Sequence, residues 1–176
     1  KFNYTLIIIL IFGCQSGLEN NDHWNSVSPD LISAVDISYY PTISENGILF
    51  YNGQGDQINF LNLLFEKGVN TIRLRLWVNP TDDSSSFNEV KEFSTLLKSL
   101  GFKIWITPHF SDTWAHPGQQ QIPNEWDSLN FEEIKAEVYS HINQIMNEIE
   151  PDYIQIGNEI NTGILFPHGN IENNSD

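Results

Sequence analysis

The chain has 176 residues, with 8 Lys+Arg against 23 Asp+Glu and a formal net charge of −15 at pH 7. That length suits one ordinary domain. The acidity argues against DNA or RNA as a partner, because phosphate binding needs a basic footprint, and it favours a neutral ligand over an anionic one.

The amino-terminal stretch reads as a leader. Lys1 precedes the apolar run "LIIILIFG", Leu6 to Gly13, which is too short to span a bilayer and suits the core of a signal peptide. "IFGC" resembles a bacterial lipoprotein signal, with cleavage before Cys14 and lipid on its thiol; the alternative is a buried strand. Cys14 is the sole cysteine, so no internal disulfide framework exists. Residues 1–13 are therefore expected to be a signal peptide and residues 14–30, "CQSGLENNDHWNSVSPD", a polar tether. No Met stands at position 1, so the start of the gene product is expected upstream. The folded part is expected over residues 31–176.

Within that part an opening strand is predicted over Ala34–Ser38. Three similar joints follow: "LLFEKGVNTIRLRLW", "LLKSLGFKIWITPHF" and "MNEIEPDYIQIGNEI". Each runs from an amphipathic segment through a Gly or Pro stop into an alternating strand. Ile58, Leu61, Leu64 and Phe65 recur at helical spacing before Gly68; Val90, Phe93, Leu97 and Leu100 do so before Gly101. Ile134, Val138, Ile142, Ile145 and Ile149 form a third stripe, opened by an Asn130/Glu133 capping box and closed by Pro151. The order βαβαβαβ implies a parallel sheet with right-handed crossovers. "SYYPTISENG" follows the first strand in place of a glycine-rich phosphate turn, which disfavours a dinucleotide-binding sheet.

Strand faces separate the remaining architectures. Val35, Ile37, Ile72, Leu74, Leu76, Ile104, Ile106, Ile154 and Ile156 share the helix-facing side. Asp36, Ser38, Arg73, Arg75, Trp77, Trp105, Thr107, His109, Gln155 and Glu159 share the other. An open sheet with helices on both sides is apolar on both faces. A (β/α)₈ barrel whose interior turns polar toward its carboxyl-terminal mouth matches better. Only about the first four βα units are read before Asp176, so the chain is expected to be half of such a barrel.

Chemistry-bearing residues gather at the strand ends. Arg73 and Arg75, the only arginines, share the interior face, and carboxylate partners are expected for them, with Asp36 and Glu159 as candidates. For Arg73 a purely structural ion pair is the competing reading. The loop "HFSDTWAHPGQQQIPNEW", His109 to Trp126, is long enough to be functional. Its mixture of indole rings and polar groups suits sugars. His109, Asp112 and His116 do not read as a metal set, because no helix fixes their spacing. No cofactor is expected. Glu159 closes the fourth strand. A carboxyl kept from water beside a second carboxylate becomes a proton donor near neutral pH.

The blocks "VDIS", "TIRLRLWVNP", "HFSDTWAHPGQQ…PNEW" and "IQIGNEINTGILFP" together resemble glycoside hydrolase family 53, the endo-β-1,4-galactanases, from about Ser33 to Gly169. The resemblance implies a retaining (β/α)₈ enzyme with an acid/base glutamate after strand four and a nucleophile glutamate after strand seven. By position Glu159 matches the acid/base and Asn158 its partner, while Asp36, Arg75, His109, Asp112 and Trp114 match the cleft lining. Thr107 and Pro108 depart from the family's more acidic strand end. Retention needs two carboxyl groups roughly 5–5.5 Å apart. Glu132, Glu133, Glu137, Glu148 and Glu150 fall on or at the end of a helix, so the nucleophile is expected outside this chain. The implied partner is β-1,4-galactan or its oligosaccharides, met at the bacterial cell envelope by a protein tethered to membrane through Cys14 and facing outward. The readings kept beside it are a β-mannan or β-glucan hydrolase, a surface lipoprotein that binds glycan without cleaving it, and a broken gene.

Overall fold

The structure, a computed structural model, describes residues 31–172. Cys14 and the leader lie outside the described residues. Four parallel strands form the central sheet: β1 (Ala34–Asp36), β4 (Thr71–Leu76), β5 (Lys103–Pro108) and β6 (Tyr153–Ile154), hydrogen-bonded in that order. Between β1 and β4 lie α1 (Tyr40–Glu45), a hairpin of β2 (Phe50–Tyr51) and β3 (Gln57–Ile58), and α2 (Phe60–Glu66). Helix α3 (Phe87–Ser99) joins β4 to β5, and α4 (Phe131–Glu148) joins β5 to β6. After β6 come a 3₁₀ turn (Ile160–Thr162) and a small hairpin of β7 (Gly163–Ile164) and β8 (Gly169–Asn170).

Each new strand adds to the same edge, whereas a doubly wound sheet reverses order at a switch point. The helices also lie on one face. Ile72, Leu74, Leu76, Ile104 and Ile106 pack with Val90, Phe93 and Leu97 of α3 and Ile145 of α4, all buried, and Val35, Ile37 and Ile154 pack against this cluster. Burying one such side chain contributes about 1.5–3 kcal/mol. This is the first half of a (β/α) barrel, as the alternation of apolar and polar residues requires.

The helix boundaries follow local chemistry. Asn130 accepts from the Glu132 and Glu133 amides while Glu133 accepts from the Asn130 amide, so the expected capping box forms. Gly68 and Gly101 turn with φ of 84° and 93°, a region that favours glycine at helix ends. Three boundaries differ from the sequence reading. Ile58 belongs to β3, not to a helix, because Asn59 caps α2 by accepting from the Asn62 amide. β1 ends at Asp36, where the Asp36 carboxylate takes the Ser38 amide and hydroxyl and turns the chain out of the ladder. β6 ends at Ile154, although Gln155 and Gly157 still donate to the Ile106 and Pro108 carbonyls of β5. Ile156 stays half-exposed because no described helix covers it.

Helix α1 and the β2–β3 hairpin are additions to the expected βαβαβαβ order. Pro41 at the start of α1 is the local signal for that helix. Tyr40, Phe50, Phe60 and Phe93 stack through centroid distances of 4.5–6.0 Å and pin the insert against the core. Thr107 and Pro108 sit in regular strand, opposite Arg75 and Leu76. Among the described residues no helix is long and apolar enough to cross a membrane.

Candidate active site

The interior face carries its polar residues toward the carboxyl ends of the strands. One network starts at Asp36, which pairs with the Arg73 guanidinium. Arg73 Nη2 donates to Asn158 Oδ1 at 2.9 Å, and Asn158 Nδ2 donates to the Ala115 carbonyl at 2.8 Å. Asn158 is 6% exposed, so these two bonds fix its amide plane. Ser38 Oγ accepts the Arg75 amide at 2.9 Å and donates to Asp36, linking the ends of β1 and β4.

Arg75 departs from expectation. It is 3% exposed, yet among the described residues it has no carboxylate partner, and the pairing with Glu159 considered from sequence does not form. Its guanidinium carbon lies 3.9 Å from the Tyr39 ring centroid, 4.9 Å from Trp77 and 5.3 Å from Trp114. Its Nε donates to Ser85 Oγ at 2.8 Å. The charge is held by aromatic faces rather than by an anion, an arrangement a planar, weakly hydrated guanidinium tolerates. Ser85 has φ of 60° and donates its amide to Glu89, whose carboxyl burial pushes above the usual range, with the Ser85 bond and the nearby Arg75 opposing.

His109 Nδ1 accepts from Trp77 Nε1 and from the Ala115 amide, each at 3.2 Å. Burial, then Arg73 and Arg75, lower its pKa to about 4. The ring is thus neutral, with its proton on Nε2. Trp114 meets the His109 ring edge-on at 5.4 Å and is 40% exposed, leaving indole surface open to solvent. Asp112 plays another part: its two oxygens accept the Asn79 and Asn124 amides at 3.0 and 2.9 Å, stapling the loop after β4 to the loop after β5. Arg75 Nη2, Trp105 Nε1, Thr107 Oγ1 and His109 Nε2 are buried without hydrogen-bond partners among the described residues.

Glu159 lies past the end of β6, beyond Gln155–Asn158, and is solvent-exposed, whereas the sequence reading expects it shielded; nothing among the described residues roofs it. Its backbone is left-handed, φ 49° and ψ 47°, a conformation that costs a non-glycine residue about 1–2 kcal/mol. Gln120 holds that turn, its Nε2 donating to the Asn158 carbonyl at 2.7 Å and the Glu159 carbonyl at 3.3 Å. Ser85, Gln120 and Tyr39 escaped the sequence reading: "DDSSS", "GQQQ" and "SYY" offer no period to single one residue out. A hollow of about 450 Å³ between α1 and the β2–β3 hairpin contains none of these residues.

Fold and cleft define a class: a parallel (β/α)-barrel protein with arginines, a neutral histidine, indole rings and a glutamate at the strand ends. The Glycosyl hydrolase family 53 profile matches residues 32–176, and the chain belongs to that family. It is 32% identical over 143 residues to arabinogalactan endo-β-1,4-galactanase A of Emericella nidulans, covering 78% of this chain and 41% of that protein. It is 34% identical over 144 residues to the arabinogalactan endo-β-1,4-galactanase of Thermothelomyces thermophilus, covering 79% and 43%. Among solved structures, the Ignisphaera aggregans GH53 catalytic domain superposes with a TM-score of 0.75 at 34% identity, over 86% of this chain and 46% of that one. A structure from a study of two fungal β-1,4-galactanases gives a TM-score of 0.74 at 33% identity, over 81% and 44%. The chain therefore spans less than half the length of these relatives.

Proposed function

We propose that the protein carrying this chain is a retaining endo-β-1,4-galactanase acting on arabinogalactan type I of plant cell walls. The supporting observation is a glutamate, Glu159, in the turn that follows the fourth parallel strand, beside an immobilised Asn158, in a chain of this family. In this reading the Glu159 carboxyl gives its proton to the leaving glycosidic oxygen as the C–O bond breaks. A carboxylate from a later strand of the complete protein forms the bond to the anomeric carbon. Glu159, now ionised, then takes a proton from the water that releases the product, so configuration is retained. Asn158 holds a hydroxyl of the sugar undergoing cleavage. Asp36 keeps Arg73 against Asn158, and Asp112 holds the loop that presents His109 and Trp114. Trp114 stacks on a galactose face, and the buried Arg75 and His109 side chains lie against its ring and hold it toward the sugar.

The test is hydrolysis by the whole protein of galactan, mannan and cellulose, with products identified and their anomeric form followed by NMR. Galactan is expected to be cut internally with retention, and Glu159→Gln is expected to lower kcat by at least about 100-fold. Preference for mannan or cellulose, or inversion, sinks the reading. Glycan retained with no cleavage in any variant favours a binding lipoprotein instead.

The localisation proposal is that Cys14 carries lipid and tethers the enzyme outward at the bacterial cell envelope, where polymer is met. Its support is the "IFGC" sequence after an apolar run. Metabolic labelling with a fatty-acid probe is expected to mark the wild type and not Cys14→Ser. A soluble protein that keeps residues 1–13 overturns it.

A further inference from the structure

Resting on the glycosidase reading above, we propose that Gln120 is a positioning residue that aims the Glu159 carboxyl through its backbone. Gln120 is 1% exposed, in the loop after β5, and its side-chain nitrogen spends both protons on consecutive carbonyls, 2.7 Å to Asn158 and 3.3 Å to Glu159. These are the carbonyls that flank the left-handed turn from which the Glu159 side chain leaves. The same loop grips the far side of Glu159. The Gln120 carbonyl accepts the Phe166 amide at 2.6 Å, and the Gly118 amide donates to Thr162 Oγ1 at 3.3 Å. The Ala115 carbonyl takes the Asn158 amide group, so the loop laces both residues at the end of the fourth strand.

Gln120 Oε1 is buried with no hydrogen-bond partner among the described residues. Turning the amide over would set that oxygen against two carbonyl oxygens, so the orientation is dictated by the donors. A strut needed for packing alone is better served by an apolar side chain, because an unpaired buried acceptor is destabilising. The site keeps an amide here for its two N–H groups. Their target is the backbone of the residue whose carboxyl must reach the glycosidic oxygen, and a displacement of 1 Å in such a group costs roughly 100-fold in rate.

The test uses the complete protein with Gln120→Met, which keeps length and removes the donors, and Gln120→Asn, which keeps the amide but is one carbon too short. Substrates are galactan and 2,4-dinitrophenyl β-galactobioside, whose leaving group departs without a proton. kcat/KM reports the first bond cleavage for both. On galactan kcat/KM is expected to fall roughly 10- to 100-fold, mostly in kcat, and on the aryl substrate by less than about threefold. Thr162→Val, which cuts only the Gly118 contact, is expected to keep the wild-type ratio between the substrates. If Gln120→Met does not fold, judged by near-ultraviolet circular dichroism, Gln120→Asn carries the comparison. Equal losses on the two substrates overturn the positioning role and leave the galactanase reading standing. A wild type inert to both substrates overturns that reading and the role with it.

Discussion

His141 makes the acid sensitivity of this fold calculable. It projects from α4 and meets the Phe110 ring edge-to-face, with centroids 6.2 Å apart, and its Nε2 is buried without a hydrogen-bond partner among the described residues. Burial lowers its pKa from 6.5 to about 4. Below 6.5 the unfolded chain takes up a proton that the folded chain refuses. The stability this group contributes is therefore complete above about pH 6.5 and is lost as pH falls toward about 4. At 1.36 kcal/mol per pH unit the whole effect is about 3 kcal/mol, and about 2 kcal/mol of it is gone by pH 5. The perturbation is His141→Phe, which keeps a flat ring and removes the titration. Urea unfolding of the complete protein and the variant at pH 7 and pH 5 is the assay. The wild type is expected to lose about 2 kcal/mol more than the variant between the two, since every other group titrates alike in both. Equal losses, or an NMR titration of the His141 ring centred near 6.5, refute the reasoning.

Gly163→Ala is expected to destabilise by at least about 1–3 kcal/mol, because Gly163 has φ of 108° and a Cβ there meets the Gly169 carbonyl oxygen at 2.0 Å. An unchanged urea midpoint contradicts this. Arg73→Ala is expected to cost about 1–3 kcal/mol through the Asn158 oxygen it leaves unpaired, and Asp36→Asn less than about 1, since that ion pair is partly solvated. Denaturant titrations that reverse this order count against it. Residues 31–176 expressed alone are expected to aggregate or self-associate and to lack turnover. The outer edges of β1 and β6 are unpaired within this sheet, and Tyr39, Trp114 and Ile156 are exposed. A monomer with sharp cooperative unfolding disproves it.

Local rules carried the sequence reading a long way. The capping box at Asn130, the glycine stops at 68 and 101 and the alternation through Ile72–Leu76 depend on residues a few positions apart, so the chain states them directly. That alternation also separates a barrel from a doubly wound sheet, because it records which faces meet helices. The pairing of Asp36 with Arg73 was legible too: both belong to one face of adjacent strands, in register. The Arg75 environment was not. Its neighbours Tyr39, Ser85 and Trp114 come from three separate loops, and loop docking, not strand period, decides that aromatic rings rather than Glu159 receive the guanidinium. Gln120 reaches Asn158 and Glu159 across 38 and 39 positions. The sequence by itself determined the faces and the residues at the strand ends. Only the tertiary structure decided which side chain holds which, because those contacts form when loops of unrelated sequence close over the same few ångströms.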